Sequence, residues 1–385
     1  MAPEIQTIVS ERVDRAIEDQ WCSAASAVVV HEGRTIARYG AGTLASHEGV
    51  ADDPGVAGAR VTHPEPADTN TWFDLASVTK VVSAVTLLKL VEHGDLALDD
   101  AVAAHLPSFA DGERAQVTLR HLLSHTSGLP ATWSGWFLPL DRARELGLDE
   151  PLGEWPASAG SRGDLLADLL SLPLQDSPGT AWTYSCVGYN TAMALAEAAT
   201  GRAWADLVTS LVLQPMDLAE GIAFAPAGAV AATEYQPELG RGVVSGIVHD
   251  ETSWSLGGRC ANAGLFATVD ALAQFTEAIR TDTLPCSHDL LVANALPTTL
   301  GRELAGSETP WGHSLGLRIG QDWLAAPRAL GHAGFTGTGI MINPALDLSV
   351  VVLANRVHPR RSDRQVHRLR QEICAAATQA LTDAD

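Results

Sequence analysis

The residues best placed to do covalent chemistry are Ser77 and Lys80, in the run Trp72-Phe-Asp-Leu-Ala-Ser-Val-Thr-Lys80. The stretch that follows, Val81 to Val91, is mostly apolar and stops at Gly94, the pattern of a buried helix ending on a C′ glycine. Ser77 then falls in the first turn of that helix and Lys80 one turn on, sharing a face. A serine hydroxyl is a poor nucleophile until a neighbouring base removes its proton. A lysine amine can be that base only when burial and the positive helix N-terminus leave it neutral. The same terminus offers a backbone N–H at Ser77 to a developing oxyanion. S-x-x-K spacing alone is common on helices, so its weight depends on the rest of the chain.

Other signals compete and are weaker. Gly312-His-Ser-Leu-Gly316 matches G-x-S-x-G, but that elbow needs a strand before it and a helix after it. Here Gly306-Ser-Glu-Thr-Pro-Trp311 precedes and the strand-like Leu315–Ile319 follows, so Ser314 is expected to be structural. His121 and His125 stand four apart on an expected helix, yet no third ligand accompanies them, and packing is the expectation. His249-Asp-Glu251 reads as a loop cap. The glycines at 40, 42, 337 and 339 form no phosphate loop, because no Lys-Ser/Thr follows them. The five cysteines, Cys22, Cys186, Cys260, Cys286 and Cys374, are scattered, without a C-x-x-C pair, which argues against a disulfide framework or a zinc site.

The elements that must position Ser77 and Lys80 follow from periodicity. Ile5, Ile8, Val9, Val13 and Ile17 form a helical stripe. Ala24–His31 and Thr35–Gly40 are β-rich runs split by Glu32-Gly33, a plausible hairpin. Residues 45–70 read as a surface loop, residues 81 to about 310 as mostly helical, Leu348–Asn355 as a strand and Asp363–Leu381 as an amphipathic helix. Strands at both ends around a helical middle imply a sheet assembled from both termini with a helical domain inserted. The expected division is residues 1–75 with 310–385 for the sheet domain and 76–309 for the mainly helical one, with the site in the cleft between them.

With 46 acidic against 25 basic residues the net charge is -21, which disfavours nucleic acid and anionic membrane surfaces as partners. The N-terminal residues have neither a basic nor an apolar secretory region, and the longest apolar run is too short to span a bilayer. Cytoplasmic placement is therefore the expectation. The oligomeric state is left open.

Four further segments occur in order after the Ser77 run: Leu119-Arg-His-Leu-Leu-Ser-His-Thr-Ser-Gly-Leu129, Ser177-Pro-Gly-Thr-Ala-Trp-Thr-Tyr-Ser-Cys-Val-Gly-Tyr-Asn190, Gly257-Gly-Arg-Cys-Ala-Asn-Ala-Gly-Leu-Phe-Ala-Thr268 and Gly331-His-Ala-Gly-Phe-Thr-Gly-Thr-Gly339. As a set, from about residue 20 to the C-terminus, the chain resembles the class C β-lactamase-like serine hydrolases, a group of carboxylesterases, D-amino-acid peptidases and acyltransferases. The resemblance implies a β-lactamase/transpeptidase-like fold, α/β plus all-α, with an antiparallel sheet flanked by terminal helices. It assigns Ser77 as nucleophile, Lys80 and Tyr184 as the pair that moves its proton, and His332-Ala-Gly334 as the third motif. His332 would line the pocket and bind the carbonyl or leaving group. Gly334 would admit substrate, and the Phe335 N–H would be the second oxyanion donor. Cys186 stands where the family has Asn; a thiol offers little of an amide's hydrogen bonding, which speaks against β-lactam hydrolysis.

The implied reaction is two-step acyl transfer on a small-molecule ester or amide, without cofactor or metal, and ester hydrolysis is the first expectation. The alternative is transacylation to an amine or alcohol acceptor in a secondary-metabolite pathway. A β-lactamase or D-amino-acid peptidase is a further alternative. The Trp-rich stretch holding Trp133, Trp136 and Trp155 could rim the cleft, although ordinary packing explains it better.

Overall fold

The computed structural model describes residues 2–48, 58–135, 161–236, 239, 241–297, 300, 311–361 and 367–383. Helix α1 (Ala2–Glu18) buries Ile5, Val9, Val13 and Ala16, a stripe that repeats every three to four residues and so lies on one face. Strands β1 (Ala24–His31) and β2 (Arg34–Gly42) form the hairpin. Its two-residue turn holds Glu32 at φ 50° and Gly33 at φ 72°, matching the twist of the flanking strands.

The remaining strands of the main sheet come from the far end of the chain: β3 (Gly312–His313), β4 (Arg318–Ile319), β5 (Leu330–Ala333), β6 (Gly339–Asn343) and β7 (Leu348–Ala354). The spatial order is β2-β1-β7-β6-β5-β4-β3, with every pairing antiparallel. The termini meet where β1 lies on β7, with Val28 opposite Val351. Strand β7 is apolar at every position but Ser349 because it is covered on both faces. Val351 and Leu353 enter the core shared with the helical residues. Val350 and Val352 enter a second core against α1 and the C-terminal helix.

In the helical part, α2 (Thr79–His93) is buried along most of its length and ends at Gly94, φ 79°, as the sequence pattern requires. Helix α3 (Cys186–Thr200) is capped by Ser185, whose side chain accepts from the Gly188 N–H. Helix α4 (Val269–Arg280) buries Val269, Leu272, Phe275 and Ile279. A small antiparallel sheet of Phe73–Asp74, Phe266–Ala267 and Ile222–Ala223 sits immediately before Ser77. The C-terminal helix α5 runs Arg368–Thr382, starting later than Asp363; residues 362–366 lie outside the described residues. No helix among the described residues is long and apolar enough to cross a membrane.

Candidate active site

Ser77 lies in a single 3₁₀ turn, Ala76–Val78, that runs straight into α2. It is the one residue between Thr71 and Lys80 that is not fully buried. The turn is strained, with Ala76 at φ 45°, a region costly for a residue with a Cβ. Its surroundings hold it there. The Asp74 carboxylate accepts from the Ala76 N–H at 2.8 Å and from the His249 N–H at 2.6 Å. From the loop between β5 and β6, Thr336 Oγ1 donates to Asp74 O at 2.7 Å and Thr338 Oγ1 to Leu75 O at 2.9 Å. That loop presses so closely that a Cβ on Gly334 would fall 2.0 Å from Thr338 Oγ1 and 2.5 Å from Leu75 O. Close approach of two backbones therefore requires the glycine.

Lys80 is fully buried, and its ammonium has three acceptors for its three donors: Ser77 Oγ at 3.1 Å, Cys186 Sγ at 3.4 Å and Asn262 O at 2.9 Å. Burial by itself would lower its pKa. Attraction to Cys186 and Tyr184 in their ionised forms overcomes this, and the net direction is upward.

Tyr184 lies beside this ammonium, which sits 5.0 Å from its ring centroid, and its hydroxyl is buried. Cys186, the first residue of α3, is half-buried beside it. Among the described residues, neither the Ser77 nor the Phe335 backbone N–H is engaged in a hydrogen bond. Both residues, with Gly334, border a cleft of about 480 Å³, and Phe335 is 46% exposed.

His332 is placed otherwise than expected. Alternation along β5 turns Ala333 to the cleft and leaves His332 with no exposed surface. Its Nδ1–H donates to Ala333 O at 3.1 Å, and burial, with Arg318 and Lys80 nearby, holds the imidazole well below its ordinary pKa. It joins a buried group behind Tyr184. His125 has its ring centroid 4.6 Å from that of Tyr184 and 4.9 Å from that of His313. The helix expected to carry both His121 and His125 is shorter than that. The helix covers only Leu119–Leu123, and His125 follows it at φ 62°. His121 closes a capping box with Thr118.

Ser314 is buried, its Oγ accepting from the Leu317 N–H at 2.9 Å within a tight turn. Asp250 caps the short helix Glu251–Ser255, the loop role expected of that segment. Trp133 is buried, its indole donating to Asp168 at 2.7 Å; Trp136 and Trp155 lie outside the described residues. No group of three His, Cys, Asp or Glu among the described residues could hold a metal.

The sequence reading missed the arginines that border the cleft, Arg318, Arg356, Arg361 and Arg370, together with Gln321 and Trp323. They come from separate segments, so no local motif announces them. The main signal was that basic residues are scarce in the chain yet recur between residues 318 and 370.

The Beta-lactamase family profile matches residues 7–375 of the chain. The chain belongs to the β-lactamase family of serine hydrolases. Esterase EstB of Burkholderia gladioli is 30% identical over 421 aligned positions that cover 94% of this chain and 93% of EstB. Among solved structures, EstCE1, a hydrolase with promiscuous acyltransferase activity, superposes with TM-score 0.68 at 21% identity, covering 97% of this chain and 99% of that one. Unliganded simvastatin synthase from Aspergillus terreus gives TM-score 0.67 at 19% identity, covering 98% and 99%. These two show the shared fold. The β-lactamase-like fold and the family expected from the motifs are thereby established.

Proposed function

We propose that the protein hydrolyses a carboxylic ester through a Ser77 acyl-enzyme. The observation that carries this is the Lys80 ammonium hydrogen-bonded to a cleft-facing Ser77 Oγ; kinship with an esterase over nearly the whole chain supports it. The cleft draws Ser77, Tyr184 and Cys186 from the 76–309 unit and its arginines from the 310–385 part of the sheet unit, so we place the site between these two domains.

In the reaction, Ser77 Oγ attacks the ester carbonyl carbon while its proton passes to the Lys80–Tyr184 pair. The reactive pair has shed one proton: an ammonium with a phenolate, or an amine with a phenol. Either form accepts the serine proton and then delivers it to the leaving alkoxide. The carbonyl oxygen, as it becomes an oxyanion, is received by the Ser77 and Phe335 N–H groups. Water repeats the sequence on the acyl-enzyme. Cys186 beside Lys80 supplies no amide for a β-lactam, so penicillins and cephalosporins are poor substrates in this reading.

The test is labelling with a fluorophosphonate together with steady-state kinetics on p-nitrophenyl acetate and nitrocefin. Wild type should label and turn over the ester with the higher kcat/KM. Ser77→Ala and Lys80→Ala should each abolish both signals to a similar extent, because the groups act as one unit, and Ser314→Ala should keep them. Activity that survives Ser77→Ala and dies with Ser314→Ala in a folded protein overturns the assignment. Adding amines and alcohols separates hydrolysis from transacylation: an acceptor that captures most of the acyl flux and speeds turnover makes the protein a transacylase.

A further inference from the structure

Among the described residues, two histidines border the cleft, His249 and His367. His367 Nδ1 meets Arg370 at 2.6 Å. His249 is tied instead to the nucleophile. Its backbone N–H donates to the Asp74 carboxylate, which also accepts from Ala76, the residue before Ser77. Its ring stacks on that of Phe335, with centroids 5.7 Å apart and planes 23° apart. Phe335 is the residue whose N–H borders the oxyanion position.

The imidazole is held in one tautomer. Nε2 lies 2.9 Å from Glu234 Oε2. Burial alone would raise the Glu234 carboxyl, but the His249 hydrogen bond and Arg361 bring it down to about 2, so it is ionised. A carboxylate only accepts, so Nε2 carries the proton and the neutral ring has its lone pair on Nδ1. Glu234 is fixed in turn by the Arg361 side chain at 2.6 Å, the Arg361 N–H at 3.1 Å and Gln236 at 3.3 Å. Arg241 donates to His249 O at 3.3 Å. His249 is 2% exposed. Yet Nδ1 makes no hydrogen bond among the described residues and, unlike Nε2 of His125, His313 and His332, it is not enclosed. A fixed ring thus keeps one acceptor for a donor in the cleft.

We propose that Nδ1 of His249 holds the water that deacylates Ser77, with Glu234 fixing the ring. This deepens the hydrolase reading and rests on it. Water has two O–H donors. One hydrogen-bonds to Nδ1 and stays on the oxygen. The other gives its proton to the Lys80–Tyr184 pair as the oxygen bonds to the acyl carbon. The tetrahedral intermediate then collapses, the bond from carbon to Ser77 Oγ breaks, and the pair returns that proton to Oγ. The product acid keeps the hydrogen that faced Nδ1, so the protons balance. An alcohol has a single O–H, which the pair must take. Nδ1 therefore favours water over alcohol acceptors and biases the acyl-enzyme towards hydrolysis.

The test follows the two half-reactions with p-nitrophenyl acetate. Stopped-flow release of p-nitrophenol measures acylation, and intact-protein mass spectrometry during a chase measures the acyl-enzyme lifetime. His249→Phe keeps a ring against Phe335 but has no lone pair. It should lengthen the lifetime roughly tenfold to a hundredfold, as misplacing a reacting group does. Acylation kcat/KM should stay within about threefold of wild type. His249→Asn, whose amide oxygen can stand in for Nδ1, should recover part of the loss. Glu234→Gln, which frees the ring to change tautomer, should lengthen the lifetime by less than His249→Phe. With methanol present, the ratio of methyl acetate to acetate should rise in His249→Phe. An unchanged lifetime, an unchanged product ratio, or acylation and deacylation slowed alike overturns the inference while the hydrolase reading stands. If wild type forms no Ser77 acyl-enzyme, the hydrolase reading fails and takes the inference with it. Should His249→Phe not fold, judged by thermal melting, His249→Leu decides by the same outcomes.

Discussion

At the residue scale, the resting lysine sets the pH response. In the proposed reaction the Lys80–Tyr184 pair works one proton short, and ordinary amines and phenols give up that proton only at about pH 10. The share of this reactive form grows as pH rises. Acylation kcat/KM should therefore climb from pH 6 to pH 9, approaching about tenfold per unit where the reactive form is scarce. Steady-state kinetics on a stable ester across that range checks this, and a maximum below pH 7 would count against it. Ser77 and Lys80 were legible because two chemical residues on one helical turn leave a local signature. His332 was not: a motif names residues, whereas strand alternation decides which of them faces the cleft, and here that is Ala333. The cleft arginines were illegible for the opposite reason, being local to nothing.

At the element scale, two glycines test two different demands. Gly334 is needed because the β5–β6 loop lies against the Ser77 turn, with Thr338 Oγ1 and Leu75 O inside the space of a Cβ. Gly33 is needed only for its φ of 72°; a Cβ there would meet nothing within 4 Å. Gly334→Ala should cost about 1–3 kcal/mol through overpacking and, by displacing the turn, about a hundredfold in kcat/KM. Gly33→Ala should cost about 1 kcal/mol of stability and leave kcat/KM unchanged, since its hairpin end does not border the cleft. Denaturant melts paired with kinetics distinguish the two, and a Gly334→Ala enzyme with full activity would show that the contact does not position Ser77. The hairpin, β7 and the Gly94 stop were readable because period and turn chemistry are written in adjacent residues. The two-residue strand β3 was not, since so short a pairing leaves no periodicity to detect, whereas β4 falls inside the strand-like run Leu315–Ile319.

At the scale of the whole molecule, the buried histidines make stability depend on pH. Burial brings the His313 pKa down to about 3 and the His358 pKa to about 4, from an ordinary 6.5. Burial likewise holds His125 and His332 well below that value. The unfolded chain takes up protons near pH 6.5 and the native one does not, so stability from these groups is fully present above 6.5. It drains away as pH falls from there to about 4 for His358 and about 3 for His313. Each group costs about 1.4 kcal/mol per pH unit within its window. Glu234 adds to this at lower pH. Burial alone would raise its carboxyl, but the His249 hydrogen bond and Arg361 bring it down to about 2, so its contribution, complete above 4.5, is lost between there and 2. Four histidines acting together can exhaust the about 5–15 kcal/mol of an ordinary domain within a few pH units. Urea midpoints should thus fall steeply between pH 6.5 and 4.5, with several protons taken up on unfolding. His358 offers a clean control, because its Nδ1–H donates to Thr233 O at 2.8 Å and its Nε2 accepts from the Ser46 N–H at 2.9 Å. His358→Gln keeps a donor and an acceptor but cannot titrate, so its stability curve should be shallower by one proton over pH 6.5 to 4. A flat wild-type curve in that range, or a Gln variant as steep as wild type, would show that proton uptake by the unfolded chain at these histidines does not govern acid stability.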